Sequence, residues 1–235
     1  MAYKRVLLKI SGEQLAGQYE GGFDPEKASW IAAEIAQAVQ AGCQVVVMVG
    51  GGNYARGAQL AGHGIERVTA DNIGMLGTLM NALALEDVFK NKGLEARAIS
   101  NVKADLVVDQ FTHRRARSHL QKGRVVIVAG GIGRPYLTTD TAAVSLALEL
   151  DCEAVLKATK VNGVYDSDPA TNPKAEHISD LTHQQAVEND AIKVMDKAAM
   201  GLAMEHEMPI IIFELDKPGN IAKVITGEKV GTIIK

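Results

Sequence analysis

Short apolar runs rich in valine and isoleucine alternate along this chain with longer segments of helical period, and no other feature constrains its fold as strongly. The runs at residues 5–10, 44–49, 96–100, 124–128, 154–156 and 209–213 read as strands. Each is nearly all apolar, the pattern of a parallel sheet covered on both faces. Helices are expected at 25–41, 69–92, 113–121, 141–150 and 196–207. Asp24 followed by Pro25 suits a helix start, and Gly42 and Gly93 suit helix stops. The expected fold is therefore α/β, a three-layer sandwich around a mostly parallel sheet.

A chain of 235 residues has room for one large domain or two small ones. No linker, repeat or low-complexity tract divides it, so residues 1–235 are expected to form a single domain. The stretch 162–174 reads as an ordered turn system or a mobile loop rather than a boundary. Cys43 and Cys152 each adjoin an apolar run, as small buried thiols of a reducing compartment do, and no Cys/His spacing marks a zinc site. With 25 Lys and Arg against 28 Asp and Glu, the net charge of −3 sets aside a general nucleic-acid binder. No run of about 18 apolar residues occurs, and the first apolar run is too short for a signal peptide. A soluble cytoplasmic protein with no membrane partner is the expectation.

Glycines gather just after the strands, where open α/β sheets bind ligands. Lys9-Ile10-Ser11-Gly12-Glu13 closes the first strand, and Gly50-Gly51-Gly52-Asn53 closes the second, with Arg56 a helical turn beyond. Gly130-Gly131-Ile132-Gly133 closes the fourth, ahead of Thr138-Thr139-Asp140. A tight turn explains any one cluster. Three on one sheet edge, with Lys9 and Arg56 beside two of them, point to phosphate binding, because glycine lets backbone N–H groups close on an anion. No G-x-x-x-x-G-K-[ST] occurs, and Gly131-Ile132-Gly133 is followed by Tyr136 where a dinucleotide motif has its third glycine. P-loop enzymes and dehydrogenases lose their main support.

These residues carry a resemblance. The Lys9–Glu13 and Gly50–Asn53 blocks, Arg56-Gly57, Asp71-Asn72-Ile73-Gly74-Met75-Leu76 and Thr138-Thr139-Asp140 resemble the bacterial uridylate kinases of the amino acid kinase family. So do Leu156-Lys157-Ala158-Thr159-Lys160, Val161-Asn162-Gly163-Val164-Tyr165 with Asp168-Pro169, Lys193-Val194-Met195-Asp196 and the block from Gly227 to Thr232. The blocks keep the family's order over essentially the whole chain. The resemblance implies the amino acid kinase fold and transfer of the ATP γ-phosphate to UMP, giving UDP, with Mg2+ in a homohexamer. It also implies effector control, commonly activation by GTP and inhibition by UTP.

By resemblance Lys9, Ile10, Ser11, Gly12, Gly52, Arg56, Thr159, Tyr165 and Asp168 contact ATP. Gly51, Asp71 and the loop Ile132, Gly133, Arg134, Pro135, Tyr136, Leu137, Thr138 and Thr139 contact UMP. Phosphoryl transfer between two anions needs positive charge and in-line placement more than a base. Lys9 at a strand end and the planar fork of Arg56 suit phosphate oxygens. Lys157 supplies a second cation, a role for which Lys160 competes. Asp140 reads as a helix cap and, by resemblance, orients the catalytic lysine. Asp71 and Asp196 also read as helix caps, and the resemblance places Asp71 on the UMP ribose. No metal site of protein side chains is expected. The basic run from His113 to His119 reads as a solvated helix face, while Arg97, His113 and Arg124 are candidates for an effector nucleotide at a subunit interface. Glu86 and Lys90, on the neighbouring helix, and the glycine spacing of 17–23 depart from the family's pattern there. Two rival functions stay open: a kinase of the same family acting on a carboxylate, and a non-catalytic nucleotide-binding regulator.

Overall fold

The computed structural model describes residues 3–55, 57–167, 169, 171–189, 192 and 194–235. From the N-terminus it runs β1 (Arg5–Ile10), α1 (Gly12–Leu15), α2 (Pro25–Gln40), β2 (Gln44–Val49), α3 (Gly57–Gly62), α4 (Arg67–Asn91) and β3 (Ala96–Ser100). Next come β4 (Asp109–Gln110), α5 (His113–Gln121), β5 (Val125–Ala129), α6 (Thr139–Glu149), β6 (Ala154–Thr159), β7 (Val164–Tyr165) and β8 (His177–Ile178). The chain ends with β9 (Asp180–Leu181), α7 (His183–Glu188), α8 (Lys197–Glu205), β10 (Ile210–Glu214), α9 (Asn220–Thr226) and β11 (Thr232–Ile234).

Nine strands form one sheet in the order β4-β3-β5-β2-β1-β6-β10-β11-β9, parallel throughout except where β11 runs against β10. Period-two alternation sorts each strand's side chains between two cores. Val6, Leu8 and Ile10 of β1 join one core with Ile31 and Ile35 of α2, Leu85 and Phe89 of α4 and Ile221 of α9. Leu7 faces the other, with Leu120 of α5, Val144 and Leu146 of α6 and Met200 of α8. This is the expected α/β sandwich around a mostly parallel sheet.

Local chemistry explains the boundaries. Asp24 caps α2 by accepting from the Glu26 and Lys27 N–H groups at 2.9 and 3.2 Å. Gly42 and Gly93 take the left-handed conformation just past α2 and α4, at φ 90° and 77°. The expected strand at 154–156 continues to Thr159, because Lys157 and Thr159 keep the extended backbone although their polarity ends the apolar run. The turn-rich stretch is ordered where described: Val164 pairs with Ile178 and Tyr165 with His177, and Asp166 Oδ1 accepts from Glu176 N at 2.9 Å. Cys43 and Cys152 are free and buried, and burial pushes both thiols up to about 12, leaving them protonated and inert.

Candidate active site

Sheet register creates the charged centre. Leu7 and Val155 face the α6 side of the sheet, so alternation puts Lys9 and Lys157 on that face as well. The two lysines are register partners in the β1–β6 pairing. Two ammonium groups therefore stand side by side where aliphatic side chains would otherwise pack. Asp140, the second residue of α6, answers both, with Oδ1 2.9 Å from Lys9 Nζ and Oδ2 2.6 Å from Lys157 Nζ. The three side chains are at most 14% exposed. Oδ1 is buried and meets Lys9 as an ion pair without a hydrogen bond's alignment. Lys157 also donates to the Val194 carbonyl. Burial pushes the Asp140 pKa up, and the Lys9 and Lys157 charges outweigh it, holding the carboxyl below its ordinary range. Burial pulls Lys157 down, Asp140 opposes the fall, and the Lys9 charge adds to it. One positive charge is left over, suited to an anion.

Beside this centre lies a cleft of about 280 Å³. Lys9, Ser11, Gly12, Gly51 and Gly52 line it from β1, β2 and the turns after them, and Asp71 lines it from α4. Ile132, Arg134, Leu137 and Thr139 close it on the far side. Gly12 has to be glycine: a Cβ there would stand 2.4 Å from Asn53 Oδ1 and 2.6 Å from Gly52 N. The cleft thus joins residues expected on the donor nucleotide to residues expected on the acceptor. Ile10 turns its side chain into the core, leaving only backbone for a ligand. Thr159 ends β6, where its hydroxyl donates to Val161 O at 2.5 Å, and the Tyr165 ring meets His177 edge-on at 5.3 Å. Arg56 and Asp168 lie outside the described residues. Of the two candidate lysines, Lys157 meets Asp140, whereas Lys160 lines a neighbouring cleft with Glu13 and Tyr54.

Two cap expectations are corrected. Asp140 does not cap α6; Thr138 does, accepting from the Asp140 and Thr141 N–H groups at 3.0 and 3.4 Å and freeing the Asp140 carboxylate for the lysines. Asp71 lies a full turn inside α4, which starts at Arg67. Its oxygens accept from Arg67 Nε at 2.9 Å, and Oδ2 accepts from Tyr136 N at 2.8 Å. That last bond holds Tyr136 in a left-handed conformation, φ 66°, with the Arg67 guanidinium 5.2 Å from its ring centroid. A helix beginning at residue 69 leaves Arg67 outside it; the observed start at Arg67 makes Arg67 and Asp71 an i,i+4 pair. Asp196 does cap α8, accepting from Ala199 N at 2.9 Å, and also accepts from the Thr138 and Thr141 hydroxyls. The loop 131–139 thereby gains a second anchor.

The candidate effector residues are only partly together. Arg97 and Arg124 converge on Glu95 at 4.0 and 3.8 Å, and Arg124 Nη1 is 3.2 Å from His119 Nδ1. His113 stands at the opposite end of α5, about 9 Å from His119 along the helix axis. His119 is therefore the histidine beside the two arginines, and burial followed by the Arg124 and Arg97 charges lowers its pKa. Glu86 faces this group, 3.9 Å from Arg97, pairs with Lys90 and accepts from Ala98 N at 2.8 Å.

A parallel sheet with glycine turns and a lysine-rich centre at its strand ends defines a phosphotransferase of the α/β class. The amino acid kinase family model matches residues 4–214. A uridylate kinase of Azorhizobium caulinodans is 47% identical over 234 residues, covering 100% of this chain and 98% of that protein. Another, from Xanthomonas oryzae pv. oryzae, is 43% identical over 235 residues, with the same coverage. A UMP kinase structure from Bacillus anthracis superposes with a TM-score of 0.95 at 40% identity, covering 100% of this chain and 97% of that one. The UMP kinase of Ureaplasma parvum gives 0.92 at 32% identity, covering 100% of both chains. The chain belongs to the amino acid kinase family, on its uridylate kinase branch.

Proposed function

We propose that this protein transfers the γ-phosphoryl group of ATP to UMP, giving ADP and UDP. The observation that carries the reading is the Lys9–Asp140–Lys157 cluster at the edge of a cleft that Asp71 and the 131–139 loop also line. A UMP phosphate oxygen, already ionised at neutral pH, attacks the γ-phosphorus, and the bond to the ADP oxygen breaks in line. Lys9 neutralises charge that develops on the transferring group, with Lys157 as the second cation on the ATP side. Asp140 holds both ammonium groups in place and is a positioning residue in this scheme. Arg56 adds a guanidinium to the phosphates, and Thr159, Tyr165 and Asp168 hold the ATP side.

Kinase chemistry with ATP entails a divalent cation, which we assign as Mg2+. No group of three or more metal-ligating side chains exists among the described residues, and Asp140 is committed to two lysines. Such a cation is carried by nucleotide phosphates, whose charge it neutralises. A screen of ADP release with UMP, aspartate, glutamate and N-acetylglutamate as acceptors tests the reading. Release with UMP alone supports it; release with a carboxylate, or nucleotide binding without turnover, overturns it.

Asp71 gives a test of the acceptor side. An ionised carboxylate accepts hydrogen bonds, so it suits the paired ribose hydroxyls of UMP. Asp71→Asn is expected to weaken UMP binding by about 10- to 100-fold, the equivalent of one charged hydrogen bond, while affinity for a non-hydrolysable ATP analogue stays near wild type. Calorimetric titration reads both. Equal losses for the two ligands would remove Asp71 from the UMP site.

Homohexamer assembly and response to GTP and UTP complete the proposal, with residues 1–235 acting as one domain. Support for assembly comes from α4, where Leu76 and Met80 are 52% and 46% exposed and share a stripe with Ile73 and Leu83. Light scattering at micromolar protein is expected to give an oligomer, and a monomer mass contradicts it. The Arg97, Arg124 and His119 group supports effector binding, with Glu86 and Glu95 weakening its pull on an anion. No helix among the described residues is long and apolar enough to cross a membrane; cytoplasmic residence is part of the proposal.

A further inference from the structure

Beneath the glycine turns lies a buried side-chain pair to which no role has been given. Asn81 on α4 is fully buried, and Asn53, after the Gly50–Gly52 turn, is 9% exposed. Their amides bond reciprocally: Asn53 Nδ2 donates to Asn81 Oδ1 at 2.9 Å and Asn81 Nδ2 donates to Asn53 Oδ1 at 2.8 Å. Each NH2 spends its second hydrogen on a backbone carbonyl, Asn81 on Gly50 O at 2.7 Å and Asn53 on Gly22 O at 2.6 Å. Every amide hydrogen of the pair is used. A saturated buried network of this kind fixes one geometry.

The bond to Gly50 O carries the consequence. A trans peptide is planar with its C=O and N–H opposed, so drawing the Gly50 carbonyl toward Asn81 aims the Gly51 N–H the opposite way. Asn53 Oδ1 meanwhile lies directly under Gly12, where a Cβ would come within 2.4 Å. One amide pair thus sets the peptide plane of one turn and the floor of the other. Three residues earlier on the same helix, the Thr78 hydroxyl accepts from Gly130 N at 2.6 Å, which ties the third glycine turn to α4.

Building on the UMP kinase reading, we propose that Asn81 is a positioning residue for phosphoryl transfer, acting through the peptide of Gly50–Gly51 to orient the turn that meets the transferring phosphate. Misplacement by about 1 Å costs roughly 10²-fold in rate. In Asn81→Asp the donors become acceptors and the Gly50 carbonyl is released. A control, Ile35→Ala in the α2 core, lowers stability without touching either glycine turn. The expected result is a kcat reduced about 10- to 100-fold in Asn81→Asp and changed by less than about threefold in Ile35→Ala, with the UMP dissociation constant unchanged in both. Assays run well below each variant's melting midpoint, with Asn81→Ala as a second variant that also removes the donor. A merely structural amide lowers the midpoint and leaves kcat of the folded enzyme alone. Folded Asn81→Asp or Asn81→Ala with near-wild-type kcat overturns the proposal, as does equal damage from the Ile35 change or failure of both Asn81 variants to fold. Absence of UMP turnover in the wild type sinks the functional reading itself, a separate outcome.

Discussion

Asp140→Asn is expected to abolish most of the activity and to destabilise the fold at the same time. The amide keeps the shape and removes the one negative charge between Lys9 and Lys157, whose side chains are at most 14% exposed. Breaking a buried ion pair by removing one partner costs about 3–5 kcal/mol. For a chain of this size that lowers the melting midpoint by roughly 10 °C. With the lysines no longer held, kcat should fall by at least roughly 10²-fold. The pH dependence follows from the directions of the shifts. In the wild type the Asp140 carboxyl titrates below its unfolded value of about 3.9, so its contribution is complete above that value and is lost as pH falls through the folded one. In the variant Lys157 loses the charge that opposes its lowered pKa. Protonation of such a lysine disfavours the folded state, so the deficit should shrink as pH rises toward the unfolded lysine value of about 10.4. Thermal melts across pH, with kcat measured on the same samples, decide the matter. A variant with wild-type midpoint and rate would show that the three charges do not act as a unit.

Lys9→Ala should separate what Asp140→Asn combines. Removing Lys9 leaves Asp140 paired with Lys157 at 2.6 Å, a neutral pair, so the fold loses less than in Asp140→Asn, where two ammonium groups are left facing each other. The same change withdraws an ammonium from the transferring phosphoryl group, and kcat is expected to drop by at least roughly 10²-fold, about 2.7 kcal/mol. UMP affinity should move little by comparison. The contrast is the test: loss of the anion harms stability and rate together, loss of one cation harms rate far more than stability. A purified Lys9→Ala protein with near-normal kcat removes Lys9 from the mechanism.

The sandwich and its strand-end glycines were legible because apolar period and glycine placement are local properties. Strands of five or six residues such as β1 and β2 declare themselves, whereas the two-residue β4, β7, β8 and β9 are held by register with distant partners and leave no periodic trace. The lysine pair was half legible. Lys9 and Lys157 each stood out at a strand end, but their adjacency depends on β6 inserting beside β1 rather than elsewhere in the sheet. Only the cap readings of Asp71 and Asp140 fail, because helix starts read two residues late turn an interior carboxylate into an apparent cap. The Asn53–Asn81 pair had no signal at all. Two asparagines 28 residues apart look like any others until a helix crosses a turn.

The facing of Lys9 and Lys157 across the β1–β6 ladder also bears on how the chain assembles. A one-residue slip moves every side chain of a strand to the other face of the sheet, and strands apolar on both faces still bury valine and isoleucine after it. Here β1 and β6 each carry a single ammonium near the carboxyl end, and only the native pairing sets both before the Asp140 carboxylate. A slip by one residue swings one lysine through the sheet, away from Asp140, into the opposite core among the aliphatic side chains of α2 and α9. The charge cluster therefore favours the native strand alignment, and the groups proposed to handle phosphate also penalise a one-residue slip of either strand.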